Sequence, residues 1–296
     1  MDTITNQLDL FIAQPSDVRH KDLAAAMALN WHSLAKRLRH DPINHETAGY
    51  QVQISNTHGD GIATIWDHDV VIFLISQLVA ASNRGEPISN RIRFSGYELH
   101  RFLAGPLNRS RGGKSDYQRL WAALNRLHHT AIRTTQTLAG AKGPTEKVTS
   151  FYWLPRIERV ARADGTNVGF EVVLDQVLFN WVRDKANVLS LDLGYFGLKS
   201  GLARWVYLWM RKSVGTEPGR TWSESARSIY KKSASQSPFR VFLSELKRIA
   251  AASTFPHYEL TIEMTSTPHR RRRWEPTLTV RRRPASLADL RLDQRA

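Results

Sequence analysis

Apolar positions recur with the period of an α-helix between residues 239 and 249 of this chain. This spacing predicts one apolar helix face, which consists of Phe239, Phe242, Leu243, Leu246 and Ile249. The opposite face is polar and mostly basic, and it carries Arg240, Ser244, Lys247 and Arg248. We expect Ser237 to cap the helix by accepting hydrogen bonds from its free backbone N–H groups, with Pro238 in the first turn.

The helical period gives way to strict alternation from residue 258. Apolar side chains at 258, 260, 262 and 264 alternate with polar ones at 259, 261 and 263, which predicts a half-buried strand. A tip containing Pro268 and the run Arg270–Arg273 follows, and the chain returns with Trp274, Leu278 and Val280. The helix is therefore expected to lead into a hairpin with arginines at its tip.

A similar series of elements is predicted in the first half of the chain. Asp67 is expected to cap an apolar helix over residues 70–81, and a short strand follows at residues 92–94. Ser95 and Glu98 have the spacing of a capping box, which opens a second helix. A third helix opens at another such box, formed by Ser115 and Gln118, and a hairpin closes the series.

The two series coincide when one is shifted along the sequence. The apolar face of the third helix consists of Tyr117, Leu120, Trp121, Leu124 and Leu127. When these positions are shifted by 122 residues, they coincide with the apolar face of residues 239–249. Residues 202–212 and 223–232 match the first and second helices. Agreement of three helices and a hairpin in the same order indicates two tandem modules.

Domain boundaries follow from this repeat. We predict an α+β fold with two tandem winged-helix domains at residues 19–160 and 168–284. Residues 1–18 are predicted to be a flexible tail, and residues 285–296 a basic C-terminal extension. The linker between the domains is expected between Arg159 and Asn167, where Asp164–Gly165 interrupts the pattern.

Charge is distributed unevenly along the 296 residues. The net charge is +15, and the part from Gly201 onward carries 19 Lys and Arg against 8 Asp and Glu. A basic excess beside a predicted helix and hairpin favours a polyanionic partner. A solvated, purely structural surface is the alternative. Membrane binding is disfavoured because no apolar run approaches the thickness of a bilayer.

Double-stranded DNA is the partner that a basic helix followed by a hairpin would hold, since the helix enters the major groove and the hairpin lies on the backbone or minor groove. The predicted DNA-binding residues are Arg111, Lys114, Ser115, Gln118, Arg119, Asn125, Arg126, Arg240, Ser244, Lys247, Arg248, Arg270, Arg271, Arg272 and Arg273. For Ser115, Gln118, Arg119 and Arg126 an ordinary solvated helix face is an equally good interpretation.

Other chemistries find little support. The segment Arg109–Ser115 ends Gly-Gly-Lys-Ser, but Asn108 stands where a phosphate-binding loop requires glycine. His128 and His129 are adjacent and have no third metal ligand at a useful spacing. A nicking enzyme would need two histidines flanking one apolar residue, and no such triplet occurs. We therefore expect no enzyme activity, cofactor or metal. The absence of cysteine suits a reducing cytoplasm, and the N-terminus lacks the features of a signal peptide.

Several segments resemble the plasmid replication initiator protein A family of bacteria. They are Gly61–Asp69 continuing to Ile75–Leu78, then Leu124–Thr134, Val188–Leu191, Tyr195–Phe196, Arg204, Tyr207 and Arg211–Lys212. The family pattern usually allows a basic residue where His68 stands. The resemblance implies a bacterial protein that binds repeated sites at a plasmid origin, helps to open it and recruits host proteins, with a helicase or a host initiator among them.

A transcriptional repressor, acting on its own promoter or another, is the alternative. The chain could act as a monomer or as a homodimer.

The β sliding clamp is a further expected partner. Gln7, Leu8, Asp9, Leu10 and Phe11 resemble the short peptide by which bacterial replication proteins dock on the clamp. The alternative is that the apolar members of this peptide staple the tail onto the first domain. Clamp docking would serve either to load polymerase or to switch the initiator off.

Overall fold

The computed structural model describes residues 10–13, 19–47, 50–104, 113–138, 145–161, 167–184, 187–266 and 274–284. The chain divides into two compact units. The first unit comprises residues 1–24 and 31–193, and the second comprises residues 25–30 and 194–296. Helix α1 (Ala24–Ala28) begins at the border. Among the described helices, none is long and apolar enough to cross a membrane.

Four helices lie wholly within the described part of the first unit, and the first of them, α2, is central. Helix α2 (His68–Asn83) is buried along almost its whole length, as expected for a helix that is apolar on all sides. It packs against α3 and α5. The other helices are α3 (Gly96–Ala104), α4 (Lys114–His129) and α5 (Gln176–Arg183).

Two four-stranded sheets and a strand pair complete the first unit. One sheet is antiparallel in the order β3 (Ile43–Thr47), β4 (Tyr50–Asn56), β6 (Thr130–Leu138) and β7 (Thr145–Tyr152). The other has the order β1 (Leu10–Ile12), β5 (Arg91–Phe94), β9 (Asn167–Val173) and β8 (Arg156–Ala161). Strand β2 (Lys21–Leu23) pairs with β10 (Val188–Ser190).

The second unit begins with a short 3-10 helix (Leu193–Gly197) at its border. Its further elements are α6 (Gly201–Val214), β11 (Thr221–Ser225), α7 (Ala226–Ser233), α8 (Phe239–Ala252), β12 (Tyr258–Ser266) and β13 (Trp274–Arg282). The three strands form an antiparallel sheet in the order β11–β13–β12. This helix–strand–helix–helix–hairpin order repeats that of α2, β5, α3, α4, β6 and β7, as the sequence repeat predicts.

Pairing of the strands differs between the repeats. In the second unit β11 joins the hairpin through β13, whereas in the first unit β5 pairs with β1 and β9 in a separate sheet. The hairpin β6–β7 is extended instead by β3 and β4. The repeat therefore preserves the order of the elements but not the whole sheet topology.

The core of the second unit is built around α6. Trp205, Trp209 and Met210 are fully buried in it, and each such side chain contributes about 1.5–3 kcal/mol relative to exposure. Arg204 is also buried; its guanidinium donates to the carbonyl oxygens of Leu198 and Phe196, both at 3.0 Å. Arg204 is one of the residues that carry the family resemblance, and these hydrogen bonds show that it holds the chain before α6 in place.

The prediction of an interdomain linker between Arg159 and Asn167 is wrong. Strands β8 and β9 include its two ends and pair with each other, and β9 also pairs with β5, so the chain here connects two strands of one sheet. The border between the units lies instead between Leu193 and Gly194. Residues 25–30 also belong to the second unit, where the side chain of Asn30 donates to the backbone oxygen of Ser233 at 2.8 Å.

The predicted N-terminal tail is only partly outside regular structure. Residues 10–12 form β1, which pairs in parallel with β5. The backbone N–H of Ala13 then donates to the carbonyl oxygen of Arg93 at 2.9 Å, and Ala13 is buried. The prediction of a flexible tail is therefore wrong for residues 10–13.

Helix starts agree with the sequence in one case and differ in three. The Ser95–Glu98 capping box of α3 is confirmed. Helix α8 starts after Pro238 with no side-chain cap from Ser237, because the chain enters the helix one residue later than predicted. Asp67 precedes α2 but makes no capping bond. The start of α4 is the third difference and belongs to the interface described next.

Candidate nucleic-acid interface

Helix α8 has a buried face and a basic face. Phe242, Leu246 and Ile249 are buried, and α8 packs on α6, α7 and β12. The exposed residues recur at spacings of three, four and seven, so they lie in neighbouring rows on the opposite side. They are Arg240, Val241, Ser244, Lys247 and Arg248.

The cations on the exposed face of α8 are not neutralised within the protein. In the part of the chain that the structure describes, no acidic side chain forms an ion pair with Arg240, Lys247 or Arg248. Glu245, the acidic residue of this helix, lies toward α6, where its carboxylate accepts a hydrogen bond from Ser200 Oγ at 2.8 Å. Helix α8 therefore presents free positive charge to solvent.

Helix α4 packs closely against α3 and β9 within the first unit. Leu120, Leu124 and Leu127 are buried, and the rings of Tyr117 and Trp121 stack at 6.3 Å from that of Phe170. Gly96 of α3 makes this approach possible, because a Cβ there would lie 2.8 Å from a ring carbon of Tyr117.

The start of α4 differs from its prediction. Gly113 is the N-cap, and its N–H donates to the carboxylate of Asp116 at 2.7 Å, so Asp116 takes the place that Gln118 was expected to fill. This hydrogen bond, together with the ion pair to Arg119, lowers the pKa of Asp116. Ser115 and Gln118 are exposed and remain available on the surface.

Two predicted contact residues of α4 are turned inward. Asn125 Nδ2 donates to the backbone oxygen of Trp121 at 2.7 Å. Arg126 makes two hydrogen bonds to the carboxylate of Asp67, at 2.7 and 2.8 Å, and this pairing raises the pKa of Arg126. Asp67 also accepts from the N–H and hydroxyl of Thr64. Arg126 thus ties α4 to the segment before α2, and Asn125 bonds to the backbone of its own helix, which the helical pattern alone could not reveal.

The adjacent histidines at the end of α4 also have partners in the first unit. His128 Nδ1 donates to the backbone oxygen of Leu154 at 2.8 Å, and His129 Nδ1 lies 2.8 Å from the carboxylate of Asp60. Burial is the largest single effect on the pKa of Asp60 and would raise it, but the hydrogen bonds from His129, from its own backbone and from Asn56 together outweigh burial and lower that pKa. No metal-binding cluster occurs among the described residues.

The hairpin β12–β13 carries different chemistry on its two faces. Leu260, Leu278 and Val280 are buried, and Met264 and Trp274 continue this face into solvent. The other face is polar, with a contact between the hydroxyls of Thr265 and Thr277. The remaining predicted contacts fall outside the described side chains: Arg111, Lys114, Arg270, Arg271, Arg272 and Arg273.

Val241 was not among the residues predicted from sequence to contact DNA. Valine is an apolar residue that is usually buried, but Val241 does not belong to the apolar face formed by residues 239, 242, 243, 246 and 249. Its side chain is half exposed. The break in the helical period is the signal that could have found it.

Comparison with known proteins identifies the family. A sequence model described as replication initiator protein A matches residues 21–260, a range that includes both α4 and α8. The chain belongs to the replication initiator protein A family. The resemblance inferred from the motifs is confirmed.

Relatives of this initiator-family chain support the same assignment. A candidate replication protein of Wigglesworthia glossinidia brevipalpis is 30% identical over 204 residues, which cover 68% of this chain and 70% of that protein. Two crystal structures of domains 2 and 3 of RctB superpose with TM-scores of 0.61 and 0.57. Each covers 88% of this chain, and this chain covers 99% and 97% of theirs, at 12% identity. This shared fold confirms the predicted α+β class, and the match to two consecutive domains of RctB is consistent with a tandem arrangement.

Proposed function

We propose that this protein initiates plasmid replication by binding repeated double-stranded DNA sites through two winged-helix modules, without enzyme activity. The observation that carries the proposal is the exposed face of α8. It presents Arg240, Lys247 and Arg248 with no acidic partner among the described residues, within a family of replication initiators. A polyanion would relieve the repulsion between these charges and release counterions on binding.

The topology of the second unit supports the winged-helix assignment. Its elements follow the order α6, β11, α7, α8, β12 and β13, and its sheet has the order β11–β13–β12. In this arrangement α8 is the helix directly before the hairpin, which is the position of a recognition helix. The helix would enter the major groove, and the hairpin, whose sequence between the strands contains Arg270–Arg273, would lie along the backbone.

The first unit would contribute a second, different surface. Ser115, Gln118 and Arg119 are exposed on α4; Gln118 and Arg119 are equivalent to Arg240 and Val241 in the first turn of α8, and Ser115 is equivalent to Ser237 just before that helix. Glutamine recognises adenine and arginine recognises guanine in the major groove. Since Arg119 is paired with Asp116, it would have to exchange this partner for a base or a phosphate.

The test of DNA binding is a gel-shift titration of the full chain against plasmid-origin DNA and against random duplex. Arg240→Ala should cost about 1–3 kcal/mol on the origin site and much less on random DNA, because a first-turn arginine contacts base edges. Lys212→Ala, an exposed cation on α6, is the matched control and should leave the ratio unchanged. Equal losses on both duplexes for Arg240→Ala would leave Arg240 as a phosphate contact only. Absence of preferred binding by the unaltered chain would refute the proposal.

Recruitment of the β sliding clamp is the second part of the proposal. Gln7–Phe11 matches a clamp-docking peptide in sequence, and residues 7–9 lie outside the described part of the chain. Leu10 and Phe11 belong to β1, whose backbone pairs with β5. Clamp docking therefore requires this short edge strand to leave its sheet, and pairing in cis would lower the apparent affinity.

A further inference from the structure

One apolar residue stands among the basic residues of α8. Val241 is the third residue of the helix, and 52% of its surface is exposed, whereas the neighbouring Phe242 is buried. Ser244 and Arg248 follow it at spacings of three and seven residues, so these side chains lie in one row. Val241 therefore belongs to the solvent-facing, basic side of α8.

Val241 contributes little to the stability of its own helix. A branched side chain loses rotamer freedom in a helix, so valine forms helices less readily than alanine. Half of its apolar surface also remains in water, so the hydrophobic gain from its position is small. A contact made on binding would explain a valine here better than packing does.

The major groove offers an apolar partner for such a residue. Among the groups on base edges there, the 5-methyl group of thymine is the apolar one. Residues in the first turns of a recognition helix lie closest to base edges. Arg240 beside Val241 would fix the helix on the DNA, and Ser244 is small enough to permit close approach.

We propose that Val241 recognises a thymine of the binding site through its 5-methyl group. The inference rests on the proposed DNA-binding function of α8 and names one base that this helix selects. At the position of α4 equivalent to Val241, 122 residues earlier, stands the exposed cation Arg119. The methyl contact is thus a property of the second unit, and the two helices would select different bases.

The test removes the two contacting groups separately and together. Duplexes selected by the unaltered protein from a random library are prepared with deoxyuridine replacing each thymine in turn, which deletes one methyl group. The unaltered protein should lose affinity about four-fold at one or two positions. Val241→Ala should bind the thymine duplex about four-fold more weakly and lose nothing more when those same positions carry deoxyuridine.

The variant is expected to fold, because Val241 lies outside the core and alanine is the better helix former. Val148→Ala on β7 is a matched control, since that valine is 48% exposed but is not on a recognition helix. It should retain the full response to deoxyuridine.

Three results would overturn the inference. If deoxyuridine costs Val241→Ala as much as it costs the unaltered protein, Val241 does not contact the methyl group; this is also the result expected if Val241 instead binds another protein. If no thymine position responds in the unaltered protein, the site contains no methyl contact. If no duplex is selected at all, DNA binding itself fails together with the inference, which separates this case from the first two.

Discussion

Replacing Arg126 by alanine should destabilise the first unit far more than replacing Arg119, although both arginines lie on α4 and each pairs with an aspartate. The side chain of Arg126 is 20% exposed and that of Asp67 only 5%, whereas the side chain of Arg119 is 75% exposed. The first pair is largely removed from water, and the second is at the surface.

The magnitudes follow from this difference in burial. Removing one partner of a buried pair leaves an uncompensated charge and costs about 3–5 kcal/mol. Because Asp67 keeps its two hydrogen bonds from Thr64, we expect the lower end, about 3 kcal/mol, for Arg126→Ala. For an exposed pair the cost is about 0–1 kcal/mol, which applies to Arg119→Ala.

Urea unfolding of the full chain, followed by circular dichroism, measures both effects. With a slope of about 2 kcal/mol per molar urea, Arg126→Ala should move the midpoint of the first unit down by about 1.5 M. Arg119→Ala should move it by no more than about 0.5 M. Arg126→Lys keeps the positive charge but cannot make the two parallel hydrogen bonds to the carboxylate, so its shift of the urea midpoint should lie between those of the two alanine variants.

The opposite pattern would refute this reasoning. If Arg126→Ala leaves the midpoint unchanged and instead weakens DNA binding, Arg126 is a DNA contact, as the helical pattern in the sequence suggested. Equal shifts for the two alanine variants would show that burial of the pair does not determine its contribution.

Three further predictions concern the hairpin, acid stability and the N-terminal strand. Replacing Arg270–Arg273 with alanine should weaken binding to all duplexes alike and reduce the salt slope of log K by about three to four; an unchanged slope in a salt titration would contradict this. Since the pKa of Asp116 is lowered in the folded protein, its stabilising effect is present above the ordinary carboxylate range and is lost as pH falls through the folded pKa. Asp116→Asn should therefore lose stability at pH 7 and show a smaller further loss in acid, as measured by urea unfolding at pH 7 and pH 3. Ala13→Pro removes the N–H that donates to Arg93 and should raise clamp affinity about five-fold by releasing β1, as measured by calorimetry; no change would mean that β1 does not compete with the clamp.

Strong periodicity explains what could be predicted from the sequence. The stripes of α4 and α8 are long and regular, so both helices, their buried faces and the hairpins that follow them were predicted in the right order. Strand β1 has three residues, too few to show a period, and its partner β5 lies some 80 residues away. The β8–β9 connection resembles a linker because the pairing that closes it cannot be read from local composition.

The interface was predictable to the level of a helix face but not of each residue. Periodicity places Asn125 and Arg126 on the polar side of α4, and only the packing of Asp67 beside that helix shows why Arg126 is held inward. The start of α4 shifted because Asp116, and not Gln118, reaches the free N–H of Gly113. Val241, which we propose as a base contact, was not predicted because the candidate contacts on α8 were chosen among polar side chains, and its degree of exposure is evident only from the structure.

A nuclease footprint of the full chain on the DNA flanking its own gene tests the central claim most directly. An initiator with two recognition helices should protect several directly repeated sites beside an A·T-rich tract, and Arg240→Ala should raise the protein concentration needed to protect all of them by the same factor. A single protected palindrome over a promoter, with no repeats, would contradict initiation and identify the protein as a repressor.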